Sequence, residues 1–471
     1  MSIHSSLKEG SKIVIVGGGC FGLSTAYALS LKNKYDIWVF DRHSIPSADA
    51  ASTGKDWNTF QFAILILNKD INKIVRMDYA DDVLYMNLMM EAFPHWHEWN
   101  KERAQLGLEP VFHQTGVLML STDGRLSDFE SKSMQNIREA GYGHAIEELK
   151  KPEDIIKRYP YLEHAVSKGY NIGYLNKEGG WCNSAEAVKH LYHKCLQNGV
   201  KFVVGNQGCF RKLYCDPKNR RRVLGIQTAD DQIHRADRVI LATGSWTAGL
   251  IDTSNQLLAT GQFVVQFQAP ESMKPRLKGQ PVWCADISRT GFYGFPPNAE
   301  GKIKIARHFS GYVWPREGDN VSVPRTQVTH PSDTIPSEAL SEARTFLADF
   351  MPQVNSLDIA HAKLCWYSDS IDGSFLVDYH PEYENLIVAS GDSGHGMKFI
   401  PVIGFKICHV LEGIDSDYSR AWRWRAGEAE NARFDALRAN AKLERAIITD
   451  TANAKTSMAS PRDLLAIRSH L

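Results

Sequence analysis

The sequence lacks several features that would mark a membrane, secreted or nucleic-acid-binding protein. It has no run of about 18 uncharged apolar residues, so no membrane-spanning helix is expected. Basic and acidic residues both number 54, and this zero net charge argues against a basic nucleic-acid-binding face and against an acidic disordered tail. Residues 1–12 are polar and lack the apolar core of a secretory signal. These absences leave the class of ordinary globular proteins.

Cysteine is scarce, and its spacing excludes a disulfide scaffold. The eight cysteines include no CxxC pair, so we expect free thiols in a reducing compartment. No metal site is predicted. The length of 471 residues suits about two or three domains, and an apolar content of 43% is enough for a substantial core with an internal pocket.

The beginning of the chain holds the strongest local signal, a βαβ unit with a glycine-rich turn. Residues 12–16 are a β-branched run that predicts a buried parallel strand, and residues 37–40 predict a second strand closed by Asp41. Between them, residues 17–22 satisfy GxGxxG and open a helix. Such glycines let backbone amides approach a pyrophosphate, and Asp41, nineteen residues after Gly22, would accept hydrogen bonds from a ribose. We therefore predict a dinucleotide site.

A second segment favours FAD over NAD as the dinucleotide. Residues 242–244 read Ala-Thr-Gly and close a predicted strand, as is common where the chain returns to an FAD. An NAD enzyme would also need a second site for a mobile cofactor. The predicted FAD-binding residues of these two segments are Gly17, Gly19, Cys20, Phe21, Gly22, Asp41, Arg42, Ala242 and Gly244.

The rest of the chain alternates between helical and strand patterns, and a charged, then polar, tail begins at about residue 420. The predicted helices are 72–105, 185–196 and 401–411, and the strand-like stretches are 201–204, 223–241, 258–310 and 386–390. One stretch does not fit a polar loop: residues 57–70 contain a nearly unbroken apolar run and are flanked by two Lys-Asp pairs. It is either a buried strand or an insertion, such as an unspliced intron retained in the coding sequence.

Four motifs, in order along residues 12–425, give the sequence a family likeness. They are Asp41-Arg42-His43 followed by the run Asp70 to Asp81; Gly179-Gly180-Trp181; Cys365-Trp366-Tyr367 followed by Ser393-Gly394-His395-Gly396-Met397-Lys398; and Trp422-Arg423-Trp424-Arg425. Together they resemble the monomeric sarcosine oxidase family, and within it most nearly the fungal fructosyl amino acid oxidases, or amadoriases.

The resemblance implies an α/β protein with an FAD-binding, Rossmann-like domain of the glutathione-reductase type and a second, mixed-sheet substrate domain over the flavin. The expected FAD-binding domain comprises residues 1–95, 180–255 and 360–425, the substrate domain 96–179 and 256–359, and the C-terminal tail 426–471. The implied reaction is oxidation of a secondary amine: hydride passes to FAD, O2 reoxidises the cofactor to give H2O2, and an imine is released. A monomer is implied.

The resemblance also implies how the flavin is held. Cys365 occupies the family position of covalent attachment to the flavin 8α-methyl group, a reaction that requires a thiolate. The alternative for Cys365 is an inert buried cysteine. The remaining cofactor-binding residues implied by the family are Gly394, His395, Gly396, Met397 and Lys398.

Two cations match the family's grip on a substrate carboxylate. Arg76 and Lys398 together suit an amino-acid anion, and the arginine fork can bind a carboxylate in bidentate fashion. Holding the carboxylate would orient the amine-bearing carbon toward the flavin. The alternative for Arg76 is an arginine on the surface of a helix.

Other pocket residues follow from the same likeness. Lys304 falls where the family has its oxygen-activating lysine, and a cation there would stabilise the charge that forms as O2 takes an electron. Lys302 takes that role if the register is two residues off, and a solvated strand lysine is the remaining alternative. Lys73 matches a basic position near the flavin. Tyr293 and Tyr367 match tyrosines that would wall a cationic amine, with core packing as the alternative.

His308 departs from the amadoriase pattern. Fructosyl amino acid oxidases have an acid four residues after the oxygen-activating lysine, whereas the sarcosine oxidase branch has a histidine, as here. The departure argues against a sugar-bearing substrate and favours another N-alkyl amino acid. An aromatic N-methyl amino acid of fungal secondary metabolism, pipecolate and saccharopine are the candidates.

The last three residues, Ser469-His470-Leu471, are a conservative variant of the Ser-Lys-Leu peroxisomal address. They predict recognition by the peroxisomal import receptor and a peroxisomal rather than cytoplasmic location, which suits an enzyme that makes peroxide. Two other functions stay open: a flavin dehydrogenase with another electron acceptor, and a non-catalytic flavin-binding protein. No nucleic-acid or membrane partner is expected.

Overall fold

The computed structural model describes residues 7–47, 50, 72–425, 445–451 and 453–466. The predictions on residues 57–70 and 469–471 fall outside these ranges. Across the described ranges, no helix combines the length and the apolar content that a membrane span requires.

The described residues form the following elements. The strands are β1 (Lys12–Val16), β2 (Asp36–Asp41), β3 (Asn72–Val75), β4 (Phe112–His113), β5 (Val117–Ser121), β6 (Ile146–Leu149), β7 (Ile172–Asn176), β8 (Gly180–Asn183), β9 (Lys201–Val204), β10 (Phe210–Cys215), β11 (Val223–Thr228), β12 (Ile233–Arg235), β13 (Arg238–Leu241), β14 (Leu257–Gln268), β15 (Val282–Ala285), β16 (Phe292–Phe295), β17 (Lys302–Arg307), β18 (Tyr312–Val313), β19 (Ile359–Ser370), β20 (Leu376–Tyr379), β21 (Leu386–Ser390) and β22 (Ala446–Ile447). The α-helices are α1 (Cys20–Ser30), α2 (Val83–Gln105), α3 (Asp128–Ile137), α4 (Pro152–Arg158), α5 (Glu163–Ser167), α6 (Ser184–Gln197), α7 (Thr247–Leu250), α8 (Lys274–Leu277), α9 (Ile287–Thr290), α10 (Ser337–Phe350), α11 (Pro352–Asn355), α12 (Ile403–Leu411) and α13 (Asp417–Ala421).

A six-stranded sheet in the order β20-β21-β13-β1-β2-β9 contains the predicted βαβ unit. Its pairs are parallel except β20 with β21. The apolar run of β1 is buried, as expected for a central parallel strand covered on both faces. Helix α1 packs against α12 at backbone distance, because a Cβ on Gly404 would collide with the carbonyl group of Ser24.

A ten-stranded mixed sheet forms the second layer of the molecule. Along it runs the order β22-β18-β14-β17-β16-β15-β5-β7-β6, and β19 pairs with β14. The two longest strands, β14 and β19, are antiparallel partners. Helix α10 buries Phe346 and Phe350 in the apolar cluster that also contains Trp283 of β15. The prediction of an α/β protein with a Rossmann-like sheet and a mixed sheet is confirmed.

The helix predicted over 72–105 is wrong at its start. Residues 72–75 are β3, which pairs antiparallel with β8, and the helix begins only at Val83. The tertiary partner outweighs local propensity in β3, and the Asp82 carboxylate accepts a hydrogen bond from the Tyr85 N–H as the N-cap of α2. Asp82 was the signal in the sequence for the true boundary.

Part of the predicted C-terminal tail adds to the ten-stranded sheet. Strand β22 pairs parallel with β18, and the Ala459 N–H donates to the Ile335 carbonyl. The boundaries between the domains stay a prediction. All eight cysteines are free thiols.

Candidate active site

A cavity of about 670 Å³ gathers most of the residues singled out in the sequence. It is lined by Gly17, Gly19, Cys20, Phe21, Asp41, Arg42, Lys73, Arg76, Ala242, Gly244, Tyr293, His308, Tyr367, Gly394, His395, Gly396, Met397 and Lys398. Three predicted residues, Gly22, Lys304 and Cys365, are not among the lining residues. Their places are explained by the packing around the glycine turn and by the register of the ten-stranded sheet.

The glycines of the first turn serve two different purposes. A Cβ on Gly22 would collide with the Gly17 carbonyl oxygen, and a Cβ on Gly17, where φ is +108°, would collide with the Ala242 carbonyl oxygen. Gly19 is different, because a Cβ there would meet no protein atom within 4 Å. It is the N-cap of α1 and provides no side-chain cap for the first N–H groups of the helix. The open space beside Gly19 therefore suits an anionic ligand.

Asp41 closes this end of the cavity. Its carboxylate accepts hydrogen bonds from the Gly18 N–H at 2.7 Å and the His43 N–H at 2.9 Å. Burial raises the pKa of Asp41, and the two backbone N–H groups oppose that rise. Asp41 thus fixes the glycine turn in addition to its predicted contact with a ribose.

Trp246 belongs to the same end and was missed in the sequence. The Arg42 guanidinium lies 4.3 Å from the centroid of the Trp246 ring, and both side chains line the cavity. The tryptophan follows the Ala-Thr-Gly segment in a short 3-10 turn, Gly244–Trp246. Its place directly after a predicted FAD-contacting segment was the available signal.

Arg76 and Lys398 meet in the cavity as two buried cations. They are 6% and 5% exposed, and Arg76 is not on a surface helix. Arg76 donates to the Asp78 carbonyl oxygen, and Lys398 Nζ donates to Tyr79 Oη at 2.9 Å. Within the described part of the chain, neither cation forms an ion pair with a carboxylate. Burial, and after it the charge of Arg76, lowers the pKa of Lys398 well below its usual range.

A buried carboxylate fixes the segment that contains Arg76. Asp78 is fully buried and accepts hydrogen bonds from Tyr174 Oη at 2.7 Å and from Asn176 Nδ2 at 2.9 Å, both on β7. Arg76 in turn donates to the backbone of Asp78. The ten-stranded sheet therefore holds the carbonyl group that Arg76 contacts.

One face of the ten-stranded sheet presents the other predicted catalytic residues. Cys365 and Tyr367 of β19 pair with Gln262 and Thr260 of β14, and Lys304 of β17 pairs with Gln266 of β14. Residues 260, 262 and 266 alternate onto the same face of β14, so their partners share that face as well. Tyr293 of β16 joins them through its pairing with Ala306, which faces Val264. The register thus groups residues from three strands.

Cys365 lies directly behind the cavity wall in this arrangement. It is 3% exposed and packs with Tyr367, Tyr293, Val264 and Ala306. Burial, followed by the neighbouring Tyr367, raises the pKa of Tyr293 well above its usual value, so this phenol stays neutral.

The loop after β21 reaches the same wall. A Cβ on Gly394, where φ is +77°, would collide with the ring of Tyr367. The His308 ring centroid lies 6.3 Å from that of Tyr367, and both side chains line the cavity. The predicted pocket histidine and tyrosine are therefore neighbours.

Lys304 and Lys302 have different surroundings, although they share a face of β17. Lys304 is 3% exposed, donates to the Asn72 carbonyl at 2.6 Å and lies 4.8 Å from the ring centroid of Phe295, which lines the cavity. Lys302 forms an ion pair at 2.9 Å with the half-exposed Glu300. The burial of Lys304 opposes the alternative of a solvated lysine, and its contacts favour it over Lys302. Lys73, next to Asn72 on β3, lines the cavity.

The donors of the cavity fit a flavin adenine dinucleotide. An uncapped helix start with open space beside Gly19 suits the pyrophosphate, and the carboxylate of Asp41 on the cavity wall suits a ribose. Within the described ranges, no group of three or more histidine, cysteine or acidic side chains is arranged to hold a metal ion.

Comparison with known proteins agrees with this assignment. The family described as FAD dependent oxidoreductase matches residues 12–409. The chain is 33% identical over 431 residues to an L-saccharopine oxidase of Schizosaccharomyces pombe, covering 88% of this chain and 93% of the relative. It is 25% identical over 403 residues to a monomeric sarcosine oxidase of an Arthrobacter species, covering 85% and 92%. A fructosyl peptide oxidase structure from E. terrenum superposes with a TM-score of 0.80 at 27% identity, covering 94% and 97%.

Proposed function

The chain belongs to the FAD dependent oxidoreductase family, and we propose that it oxidises the secondary amine of an N-alkyl amino acid with covalently bound FAD and O2. The observation that carries the proposal is the pair Arg76 and Lys398, two buried cations with no carboxylate partner among the described residues. Buried charges are stable only when they are paired or hydrogen-bonded. A substrate carboxylate would complete this pair.

FAD, when bound, accepts a hydride from the carbon next to the amine nitrogen and, once reduced, supplies the electrons that convert O2 to H2O2. Gly17, Gly19 and the first N–H groups of α1 would hold its pyrophosphate, and Asp41 would hold a ribose. Arg76 and Lys398 bind the substrate carboxylate, which fixes the position of the amine end of the molecule.

The amine end would meet the tyrosine wall. Tyr293 and Tyr367 place two phenol rings beside His308, and these rings can face a cationic amine while their hydroxyls orient it. Lys304 supplies a fixed positive charge beside this wall, which would stabilise the negative charge that O2 acquires on reduction. The product is an imine.

Saccharopine is the first substrate to test among the candidates. The relative with 33% identity is an L-saccharopine oxidase and is aligned over 88% of this chain. His308 stands where a sugar-binding acid would be expected in an amadoriase-like enzyme, and this disfavours a fructosyl substrate although fructosyl peptide oxidases share the fold. An N-methyl aromatic amino acid and pipecolate follow.

The tether to FAD is proposed to be Cys365. Its support is its place behind the cavity wall, one residue from Trp366 and two from Tyr367, which both line the cavity. The Cys365→Ser variant should release its flavin on acid precipitation, whereas wild type retains a yellow pellet. Cys20→Ser is the matched control, because Cys20 also lines the cavity and should leave the tether intact. Flavin release from both variants, or from wild type, would contradict the assignment.

A peroxisomal location is proposed together with the enzyme activity.

The proposed function is tested by a peroxide-coupled screen of purified protein. Sarcosine, N-methyl aromatic amino acids, pipecolate, saccharopine and fructosyl amino acids are compared with the same amines lacking the carboxylate. We expect peroxide release with at least one amino acid and none with its decarboxylated analogue. Anaerobic flavin bleaching without O2 consumption would instead indicate a dehydrogenase. A flavin that no amine bleaches would refute the proposal and leave a binding protein.

A further inference from the structure

A chain of three hydrogen bonds starts at Lys398. Its Nζ donates to Tyr79 Oη at 2.9 Å, Tyr79 Oη lies 3.0 Å from His395 Nδ1, and His395 Nε2 lies 3.0 Å from the Gly373 carbonyl oxygen. All four residues line the cavity. Tyr79 is inside the run that carried the family likeness, but no role was predicted for it.

The chemistry of the end groups sets the direction of the chain. The Gly373 carbonyl can only accept, so His395 Nε2 carries a hydrogen and donates it. A lysine ammonium can only donate, so Tyr79 Oη accepts from Lys398 and donates its own hydrogen to Nδ1 of a neutral His395. The reverse arrangement needs two changes at once, a neutral Lys398 and an imidazolium at His395. The three bonds therefore point from Lys398 toward Gly373.

Aromatic packing holds both acceptors in place. The His395 ring lies 4.8 Å from the ring centroids of Tyr85 and Phe375. Tyr79 stacks on Tyr85 at 5.5 Å. Tyr85 Oη also contacts Ser374 Oγ at 3.1 Å and accepts from the Phe375 N–H at 2.8 Å, which fixes the loop next to Gly373. The three hydrogen bonds are thus part of a packed aromatic unit and not of a solvated surface.

Lys398 needs such support, because burial and, after it, the charge of Arg76 oppose its positive charge. Arg76 faces it as a second cation, while Asp78 after β3, Cys182 of β8 and Cys284 of β15 act in the favourable direction. Trp96 of α2 donates to the Lys398 backbone carbonyl and not to the ammonium group. Tyr79 contacts the ammonium directly, both as a hydrogen-bond acceptor and with its ring centroid at 4.7 Å.

We propose that Tyr79 and His395 are positioning residues for the carboxylate clamp: they keep Lys398 protonated and fix one of its three N–H groups, which leaves the other two for the substrate. This inference rests on the proposed function, because it concerns the same carboxylate. Polarisation along the series of hydrogen bonds strengthens the one that Tyr79 Oη accepts from Lys398. Loss of that bond should make Lys398 easier to deprotonate.

The test measures carboxylate binding and does not require turnover. Acetate and N-acetylglycine are titrated into the flavin-loaded enzyme, and Kd is taken from the change in flavin absorbance across a range of pH. Tyr79→Phe should weaken binding about tenfold, the loss expected for one hydrogen bond to a charged group. The pH at which binding disappears should also fall. His395→Asn keeps an acceptor for Tyr79 and should lie between wild type and His395→Leu.

A double-mutant comparison separates positioning from general damage. Tyr79→Phe should have no further effect on Kd in a Lys398→Met background, because the residue through which it acts is absent. Tyr85→Phe removes a hydroxyl from the same aromatic unit without contacting Lys398 and should leave the pH profile in place. Equal losses in both backgrounds, or an unshifted profile for Tyr79→Phe, would overturn the inference while leaving the clamp intact. Failure of the wild type to bind either carboxylate would refute the clamp itself.

Discussion

The two ends of the cavity are built in different ways. At the cofactor end, Gly17, Gly19, Gly22 and Asp41 lie within one βαβ unit, and they act through backbone N–H groups and free space. At the substrate end, the cations and tyrosines come from β3, β16, β19 and the loop after β21, and they act through buried charge. Substitutions at the first end should remove the cofactor, whereas substitutions at the second should leave a flavin-loaded protein that has lost substrate.

The largest effect is expected for Gly22→Ala. Its Cβ would collide with the Gly17 backbone, and neither segment can move without breaking the turn. We expect a loss of more than about 4 kcal/mol in unfolding free energy, or no folded protein. Thermal unfolding and soluble yield measure it.

Gly19→Ala is the matched substitution, because its Cβ meets no protein atom. It should fold with nearly the Tm of wild type, yet purify with less flavin per protein, because the methyl group occupies space meant for the ligand. Full flavin content in Gly19→Ala would mean that this space is not the pyrophosphate site.

The second prediction concerns the substrate end. Arg76→Ala should weaken the binding of an amino-acid substrate by about 30-fold to 1,000-fold, which corresponds to roughly 2–4 kcal/mol for a buried charge contact. Flavin content should not change, because the contacts of Arg76 are with Asp78, Tyr79 and Phe129. Arg76→Lys should recover only part of the loss, since it restores the charge without the fork. Anaerobic flavin reduction at varied substrate concentration gives the affinity.

The sequence predicted the cofactor end better than the substrate end for a physical reason. The residues of the glycine turn contact one another across a few positions, so spacing alone specifies the geometry. Trp246 and Tyr79 could not be assigned in this way, because their roles depend on partners far along the chain. The role of Asp78 could not be predicted from the sequence either, since it depends on hydrogen bonds from Tyr174 and Asn176. Only the family likeness identified Arg76 and Lys398.

In the fold as well, elements that depend on local sequence were predicted, whereas elements that depend on distant partners were not. The parallel strands β1, β9 and β21 were predicted from short apolar runs that need no knowledge of their neighbours. Residues 72–75 were predicted as helix, because their strand character depends on β8, more than a hundred residues away. The two lysines of β17 could not be told apart until the structure placed Phe295 and Asn72 beside Lys304.

The third prediction compares those two lysines. Lys304→Met should slow the reaction of the reduced enzyme with O2 by about 100-fold to 1,000-fold, the cost of removing one preorganised charge-stabilising group. Flavin reduction by the amine should change much less. Lys302→Met removes an equal charge from the same face of β17 and breaks a pair with the exposed Glu300, so its O2 reaction should stay near wild type. Stopped-flow mixing with O2 distinguishes them, and equal losses would indicate a general field effect.

The last prediction concerns a carboxyl group that contrasts with Asp41. Glu130 of α3 is fully buried, and within the described part of the chain neither carboxyl oxygen has a hydrogen-bond partner. Burial raises the pKa of Glu130 to about 7, with smaller contributions from Asp286 and Asp78 and opposition from Arg76. At the cofactor end, by contrast, the partly buried Asp41 accepts hydrogen bonds from two backbone N–H groups.

Glu130 should therefore make stability depend on pH. Because its pKa is raised, Glu130 favours the folded state in its neutral form. This contribution to the free energy of unfolding is fully present below about pH 4.5 and is lost as the pH rises through 7, for a total of about 3 kcal/mol. Glu130→Gln cannot ionise, so its Tm should rise relative to wild type between pH 5 and pH 8. Glu148→Gln is the control of opposite sign, because the salt bridge to Arg138 lowers the pKa of Glu148 and favours its charged form. That variant should be destabilised slightly at pH 8 and less at pH 4. A pH-independent difference between Glu130→Gln and wild type would show that folding does not shift the pKa of Glu130, and would contradict this prediction.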